Sequence, residues 1–159
     1  MDILYHDSFE TPIGFIHVEA NDSGICSIDF HDLPEVEANA SLLTNAAIKQ
    51  LSVYFAGEIQ EFSVPLAPNG TTFELEVWNE LSKVPYGETC SYLDIANRMN
   101  NPKAIRAVGR ANGANPIAIV IPCHRVVGAD GSLVGYSGGL WRKRWLLDHE
   151  ARIAGRILL

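Results

Sequence analysis

Apolar and polar positions alternate in three short runs at the start of the chain, near 3–9, 13–20 and 25–30. Thr11-Pro12-Ile13-Gly14 and Asn21-Asp22-Ser23-Gly24 punctuate them, so the pattern predicts a small antiparallel sheet. From Ser41 to Ala56 the period lengthens: Leu43, Ala46, Ala47, Leu51, Tyr54 and Phe55 fall at helical spacing and Gly57 ends the segment. Val64 to Gly70, with Pro65 and Pro68, reads as a linker. Thr71 and Glu74 then form a capping-box pattern ahead of a helix that buries Val77, Trp78 and Leu81 and stops before Pro85-Tyr86-Gly87. Leu93, Ile95, Ala96 and Met99 predict a helix over 91–99. A break at Asn100-Asn101-Pro102 leads to a second short helix over 103–112. Two short helices around a tight turn suggest a helix-turn-helix, a weak signal when taken alone. Ile117 to Ile121, apolar and flanked by Pro116 and Pro122, reads as a buried strand that ends abruptly. The fold class is therefore α+β, with a 1–68 domain of sheet and helix and a mostly helical 69–159 domain.

The 159 residues, 47% hydrophobic and 19% charged, are enough to bury a core in one or two domains. No apolar run approaches a membrane span, and no basic segment followed by an apolar one opens the chain, so neither membrane nor export is expected. Three scattered cysteines, Cys26, Cys90 and Cys123, suit a reducing cytoplasm better than a disulfide framework. The net charge of −7 argues against a nucleic-acid partner until it is divided. Residues 1–97 carry two basic and 16 acidic side chains, whereas 98–159 carry ten basic and three acidic ones. Such a split fits one face that repels phosphate and one that attracts it, or equally two oppositely charged surfaces that hold each other.

The candidate chemistry sits at Cys123-His124-Arg125. A thiol beside an imidazole and a guanidinium is placed for a depressed pKa, although a lone cysteine among apolar residues is more often inert core. On the second short helix Ala104, Ala107, Gly109, Ala111 and Gly113 are small while Arg106 and Arg110 project. Small residues allow close approach to a groove or simply close helix packing. His6, His17, Cys26 and His31 match no compact zinc spacing, so no metal is expected. Trp141 and Trp145 read as core, Cys26 and Cys90 as structural, and Arg142-Lys143-Arg144 as a basic stretch near phosphates or a solvated face.

Ile121-Pro122-Cys123-His124-Arg125-Val126 resembles the active-site signature of the O6-alkylguanine-DNA alkyltransferases, the methylated-DNA–protein-cysteine methyltransferases. Asn101 to Gly109, Asn115-Pro116, Gly135-Tyr136-Ser137-Gly138-Gly139 and Trp145-Leu146-Leu147 to Glu150 follow in that family's order and spacing. The likeness covers Phe73 to Glu150; the N-terminal part shares only the general layout, which by resemblance is ribonuclease-H-like. Cys123 is thereby implied as the alkyl acceptor, His124 as its base and Glu150 as the group that orients the imidazole. Tyr92 would give a hydroxyl to the base N3, and Asn115 would join the DNA-binding helix to the cysteine turn. The helix bearing Ala104, Ile105, Arg106, Ala107, Gly109 and Arg110 would enter the minor groove, with Arg106 filling the space of a flipped base. Ile105 is bulkier than the alanine of some members. Val126, Tyr136, Ser137 and Gly138 would form the base pocket. Some members hold a structural zinc in the N-terminal domain, and this chain lacks that cysteine and histidine set.

The resemblance implies a monomer that acts on double-stranded DNA carrying O6-alkylguanine, and also O4-alkylthymine, once per molecule and without a cofactor. Competing readings are a lesion-recognition module that transfers nothing, a methylation-sensing regulator fused to a zinc module, and a cysteine hydrolase using Cys123, His124 and Glu150. The acceptor cysteine counts against the first, the chain length against the second and the basic second half against the third.

Overall fold

The structure is a computed structural model that describes residues 3–58 and 60–155. It divides into two compact units, Met1–Asn69 and Gly70–Leu159. In the first, the alternating runs become β1 (Tyr5–Thr11), β2 (Gly14–Ala20) and β3 (Ile25–His31), an antiparallel sheet in the order β1-β2-β3. The register pairs Tyr5 with Ala20 and Phe15 with His31. Ile16, Val18 and Ala20 of β2 and Ile25 and Ile28 of β3 are buried, as are Ala47, Leu51 and Tyr54 of α1 (Leu42–Phe55), which packs on the sheet. Each such aliphatic side chain contributes roughly 1.5–3 kcal/mol when withdrawn from water. Ser41 caps α1 through a reciprocal box with Thr44.

The segment read as a linker is instead attached to the sheet. Ile25 N–H donates to Pro65 O at 2.8 Å and Ala67 N–H to Ile25 O at 2.8 Å, which adds a parallel bridge at Leu66 to the open edge of β3. An edge strand leaves backbone groups unpaired, and this segment takes up part of that edge. Gly24 makes the approach possible, because a Cβ there would lie 2.7 Å from Pro65 O.

The second unit holds α2 (Thr72–Leu81), α3 (Tyr92–Arg98), α4 (Ile105–Gly113) and α5 (Leu140–Ile153), with a 3₁₀ turn at Cys123–Arg125. Thr71 with Glu74 and Ser91 with Asp94 form capping boxes that fix the starts of α2 and α3. Val77, Trp78 and Leu81 of α2 are buried, as are Ile95 and Ala96 of α3 and Val108 and Ala111 of α4. The Trp78 indole N–H donates to Ala111 O at 2.8 Å, tying α2 to the last turn of α4.

The expected strand over 117–121 does not form. Ile117, Ile119 and Ile121 are buried in the alternating manner of a strand, but the backbone turns at each step. Val120 N–H donates to Ala118 O at 2.8 Å across Ile119, whose φ is +71°, and Cys123 N–H donates to Ile121 O at 2.8 Å across Pro122. These are successive γ-turns, and a β-branched residue in the left-handed region stores strain of order 1–3 kcal/mol. Prolines on both sides withhold ladder donors, and the Asn115 side chain stands in for a neighbouring strand. Its Nδ2 donates to Ile121 O at 2.8 Å and its Oδ1 accepts from Ile117 N–H at 3.0 Å.

Replacing Trp78 with Phe removes the donor to Ala111 O while keeping most of the ring. The protein should lose about 1–3 kcal/mol in urea unfolding at unchanged m. An unchanged midpoint would show that this bond does not hold α2 to α4.

Candidate active site

The turn that ends at Pro122 delivers three consecutive side chains into the interior of the second unit, where Cys123, His124 and Arg125 are all buried. α5 meets them with Glu150. His124 Nε2 lies 2.7 Å from Glu150 Oε2. Arg125 clamps the same carboxylate from the side, with Nε donating to Oε1 at 2.8 Å and a terminal nitrogen to Oε2 at 3.1 Å. Its other terminal nitrogen donates to Val84 O at 2.7 Å, and the guanidinium lies 5.6 Å from the centre of the Tyr86 ring. Burial alone would raise the Glu150 pKa, but His124 and Arg125 together hold the carboxyl far below the usual carboxylate range. An ionised Glu150 only accepts, so His124 carries its proton on Nε2. Its Nδ1 is buried and without a hydrogen-bond partner, and in the neutral ring it is the atom that carries the lone pair.

Burial pushes the Cys123 thiol above its ordinary pKa, and neither a hydrogen bond from Asn115 nor the charge of Lys143 cancels that effect. The depressed thiol expected from the neighbouring cations is therefore corrected. His124 and Arg125 direct their polar atoms at Glu150 instead, and burial favours the protonated thiol.

Sequence reasoning missed Lys143. It is completely buried, with Nζ donating to Val134 O at 3.0 Å, although the basic stretch 142–144 reads as phosphate-facing or solvated. Desolvation lowers its pKa and Cys123 opposes that shift. The signal was available, because Lys143, Leu146 and Glu150 share the inward face of α5 at spacings of three and four. Asn112 was missed as well. Only 3% exposed, its side chain lowers the pKa of Tyr92, while its own Oδ1 is buried without a partner. Trp141, expected in the core, is 58% exposed, whereas Trp145 stacks on His149 with centroids 4.8 Å apart.

The remaining predicted residues divide by position. Tyr92 opens α3 half-buried, close to Gly109 of α4, where an added Cβ would meet its ring at 3.7 Å. Burial raises the Tyr92 pKa, Asn112 lowers it, and the Cys123 charge adds to the rise. Burial and then Cys123 also raise Tyr136 well above its ordinary value. Val126 is buried and bridged to Cys90, Gly138 is half-buried and Ser137 is exposed. On α4, Ile105, Arg106 and Arg110 are exposed, Ala107 and Gly109 half-buried, and half-buried Ala104 precedes the helix as its N-cap. Arg106 and Arg110, one turn apart, share a face. Among the described residues no group of three or more His, Cys, Asp or Glu is arranged to hold a metal ion. His17 and His31 stack at 3.7 Å, and Glu35 lies 3.7 Å from both His6 and His17.

A buried thiol beside an oriented imidazole, in a unit whose paired helices project arginines, defines a cysteine-centred protein of the α+β class. Residues 72–152 match the 6-O-methylguanine DNA methyltransferase DNA-binding domain and residues 4–68 its ribonuclease-like domain, so the chain belongs to that family. The methylated-DNA–protein-cysteine methyltransferase of Methanosarcina acetivorans is 46% identical, covering 92% of this chain and 98% of the relative. That of Mycolicibacterium paratuberculosis is 43% identical, covering 94% of each. The crystal structure of Mycobacterium tuberculosis O6-methylguanine methyltransferase superposes with a TM-score of 0.85 at 41% identity, covering 94% of each chain. The same organism's OGT in complex with DNA gives 0.84 at 43% identity, covering 92% of each.

Glu150→Gln should destabilise the protein by about 3–5 kcal/mol at pH 7, because buried Arg125 loses its counter-charge. The folded pKa of Glu150 lies below the unfolded value of about 4.3, so its stabilisation is complete above that value. It is lost as pH falls through the folded pKa. Chemical denaturation from pH 7 downward should therefore show the two proteins converging below about pH 4. A constant gap would mean that the carboxylate charge is not what stabilises the site.

Proposed function

We infer that this chain reverses DNA alkylation directly, by moving an alkyl group from O6 of guanine to Cys123 in a single turnover. The observation that carries the reading is the free, buried Nδ1 of His124, whose Nε2 is held by Glu150 one residue from a buried thiol. In this reading Nδ1 takes the Cys123 proton, directly or through a water, as the thiolate attacks the alkyl carbon in line. The S–C bond forms, the C–O bond breaks and its electron pair stays on O6. Tyr92 gives a proton to the base N3, which makes guanine a better leaving group, and a neutral base departs. The product is a thioether with no water-labile bond, which is why one molecule acts once.

Support for DNA as the partner comes from the matched DNA-binding domain and from the M. tuberculosis relative in complex with DNA. A thiol 5% exposed cannot reach a base inside the duplex, so the base must rotate out to meet it. Ile105, Arg106 and Arg110 on the exposed flank of α4 suit the groove, Arg106 as the filler of the vacated stack and Ala104, Ala107 and Gly109 as the close-approach surface. Val126, Tyr136, Ser137 and Gly138 form the pocket, with backbone groups that distinguish guanine, and Asn115 braces the turn. The reading assigns the protein to the cytoplasm as a monomer acting on O6-alkylguanine and O4-alkylthymine in duplex DNA. No described helix is long and apolar enough to cross a membrane.

Incubation with duplex DNA carrying methyl-labelled O6-methylguanine, followed by intact and peptide mass, should place one methyl on Cys123 and stop at one per protein. Cys123→Ser should bind the duplex and transfer nothing. Binding without transfer by the unaltered protein would reduce it to a lesion-recognition module. Repeated turnover would point to hydrolytic chemistry.

A further inference from the structure

The loop 134–139 runs from the turn after Val127 into α5 and carries Tyr136, Ser137 and Gly138. Its hold on the fold comes from the first turn of α5. Lys143 Nζ fastens the near end at Val134 O. At the far end a single peptide unit, Gly138–Gly139, is fixed at both of its polar atoms. Its carbonyl accepts from a terminal nitrogen of Arg142 at 3.1 Å, and its N–H donates to Tyr136 O at 2.9 Å. A peptide between two glycines has no Cβ on either side to restrict its orientation, and Gly139 already sits at φ +93°. Its orientation therefore depends on those two bonds.

Arg142 is itself aimed. Its guanidinium lies 4.5 Å from the centre of the Trp141 ring, and that ring lies under Gly139, where an added Cβ would meet it at 3.3 Å. The exposed tryptophan is thus a platform between the loop and the guanidinium, which explains why a large apolar ring stays at the surface. The Arg142 charge also reaches the Tyr136 hydroxyl. Carbonyl and ring thus meet one cation.

We propose that Arg142, seated on Trp141, is a positioning residue for alkyl transfer that fixes the Gly138–Gly139 peptide and so the backbone covering the extruded base. This rests on the repair reading for its catalytic consequence, but the pinning itself is a property of the free protein. A loop whose backbone N–H groups must meet O6 as charge develops there gains rate from being fixed beforehand. Arg142 acts through the loop and touches no reacting atom.

Two measurements on Arg142→Ala and Arg142→Lys test this. Amide hydrogen exchange in the free protein should show the Gly139 N–H, which donates to Tyr136 O, protected in the unaltered chain, several-fold less protected in Arg142→Ala and restored in Arg142→Lys, which keeps a donor. Single-turnover transfer from O6-methylguanine duplex at saturating protein should slow about tenfold or more in Arg142→Ala, with the half-saturating concentration unchanged and substantial recovery in Arg142→Lys. Trp141→Ala, which keeps the donor but removes its platform, should move both readouts the same way by a smaller factor. Unchanged exchange would overturn the proposal, and so would an unchanged saturating rate. Weaker DNA binding with a lower salt dependence and an unaltered saturating rate would make Arg142 a phosphate contact and equally overturn it. Absence of methyl on Cys123 of the unaltered protein sinks the repair reading instead, and the exchange data still decide whether Arg142 pins the loop.

Discussion

The Glu150 carboxylate is the point on which the second unit's interior depends. It neutralises Arg125, fixes the ring of His124 and, through Arg125, reaches Val84 O at the end of α2. Burying a carboxylate and a guanidinium costs several kcal/mol per ion, and a well-packed apolar pair of the same volume is often no less stable. Stability alone therefore does not account for the arrangement. What an apolar pair could not do is dictate which imidazole nitrogen carries the proton. With Nε2 committed to Glu150, the free lone pair is on Nδ1, the atom that the proposed chemistry uses.

The backbone that delivers Cys123 is held by similarly specific means. A strand would have left the thiol at the end of an extended segment, with its side chain on one face of a sheet. Successive γ-turns at Ile119 and Pro122 instead bury three isoleucines as anchors and let the chain reverse within a few residues. The positive φ of Ile119 is sustained by burial of its side chain and by Asn115, which bonds to the segment at both ends. Strain of this kind persists where surrounding contacts over-determine it. Here those contacts are the ones that position the cysteine.

Which features were legible in the sequence follows from how local their causes are. The Thr71–Glu74 capping box, the period of α1 and the turn residues between β1, β2 and β3 act within a few residues, and the start of α2 and both ends of α1 and the three strands lie within two residues of their predicted bounds. The apolar run 117–121 between two prolines was misread as a strand because a chain of tight turns can bury such a run as readily as a strand does. The Val64–Gly70 linker was misread because attachment to β3 is set by an open sheet edge distant in sequence. Lys143 was hidden by its neighbours: a run of like charges suggests solvent, while the period of Leu146 and Glu150 points inward. Arg125 clamping Glu150 across 25 residues, and Asn112 facing Tyr92, have no local signature. Only the family resemblance pointed to Glu150 at all.

Burial that pushes the Cys123 thiol up bears on how reactivity is controlled. If burial had been offset by a free cation, Cys123 would be a standing thiolate, open to any small electrophile that entered. Instead Arg125 is engaged by Glu150, and Lys143 donates to Val134 O. In the repair reading the proton leaves when His124 accepts it, which makes the imidazole a gate on nucleophilicity. A base that closes the pocket excludes water and strengthens every charge interaction around the sulfur. Lys143, completely buried, is a counter-charge that would oppose the cost of a thiolate formed in that setting. In the repair reading the protein thus forms its nucleophile when the lesion is in place. This suits an acceptor that is consumed by a single reaction, because one encounter with the wrong electrophile would waste the whole molecule.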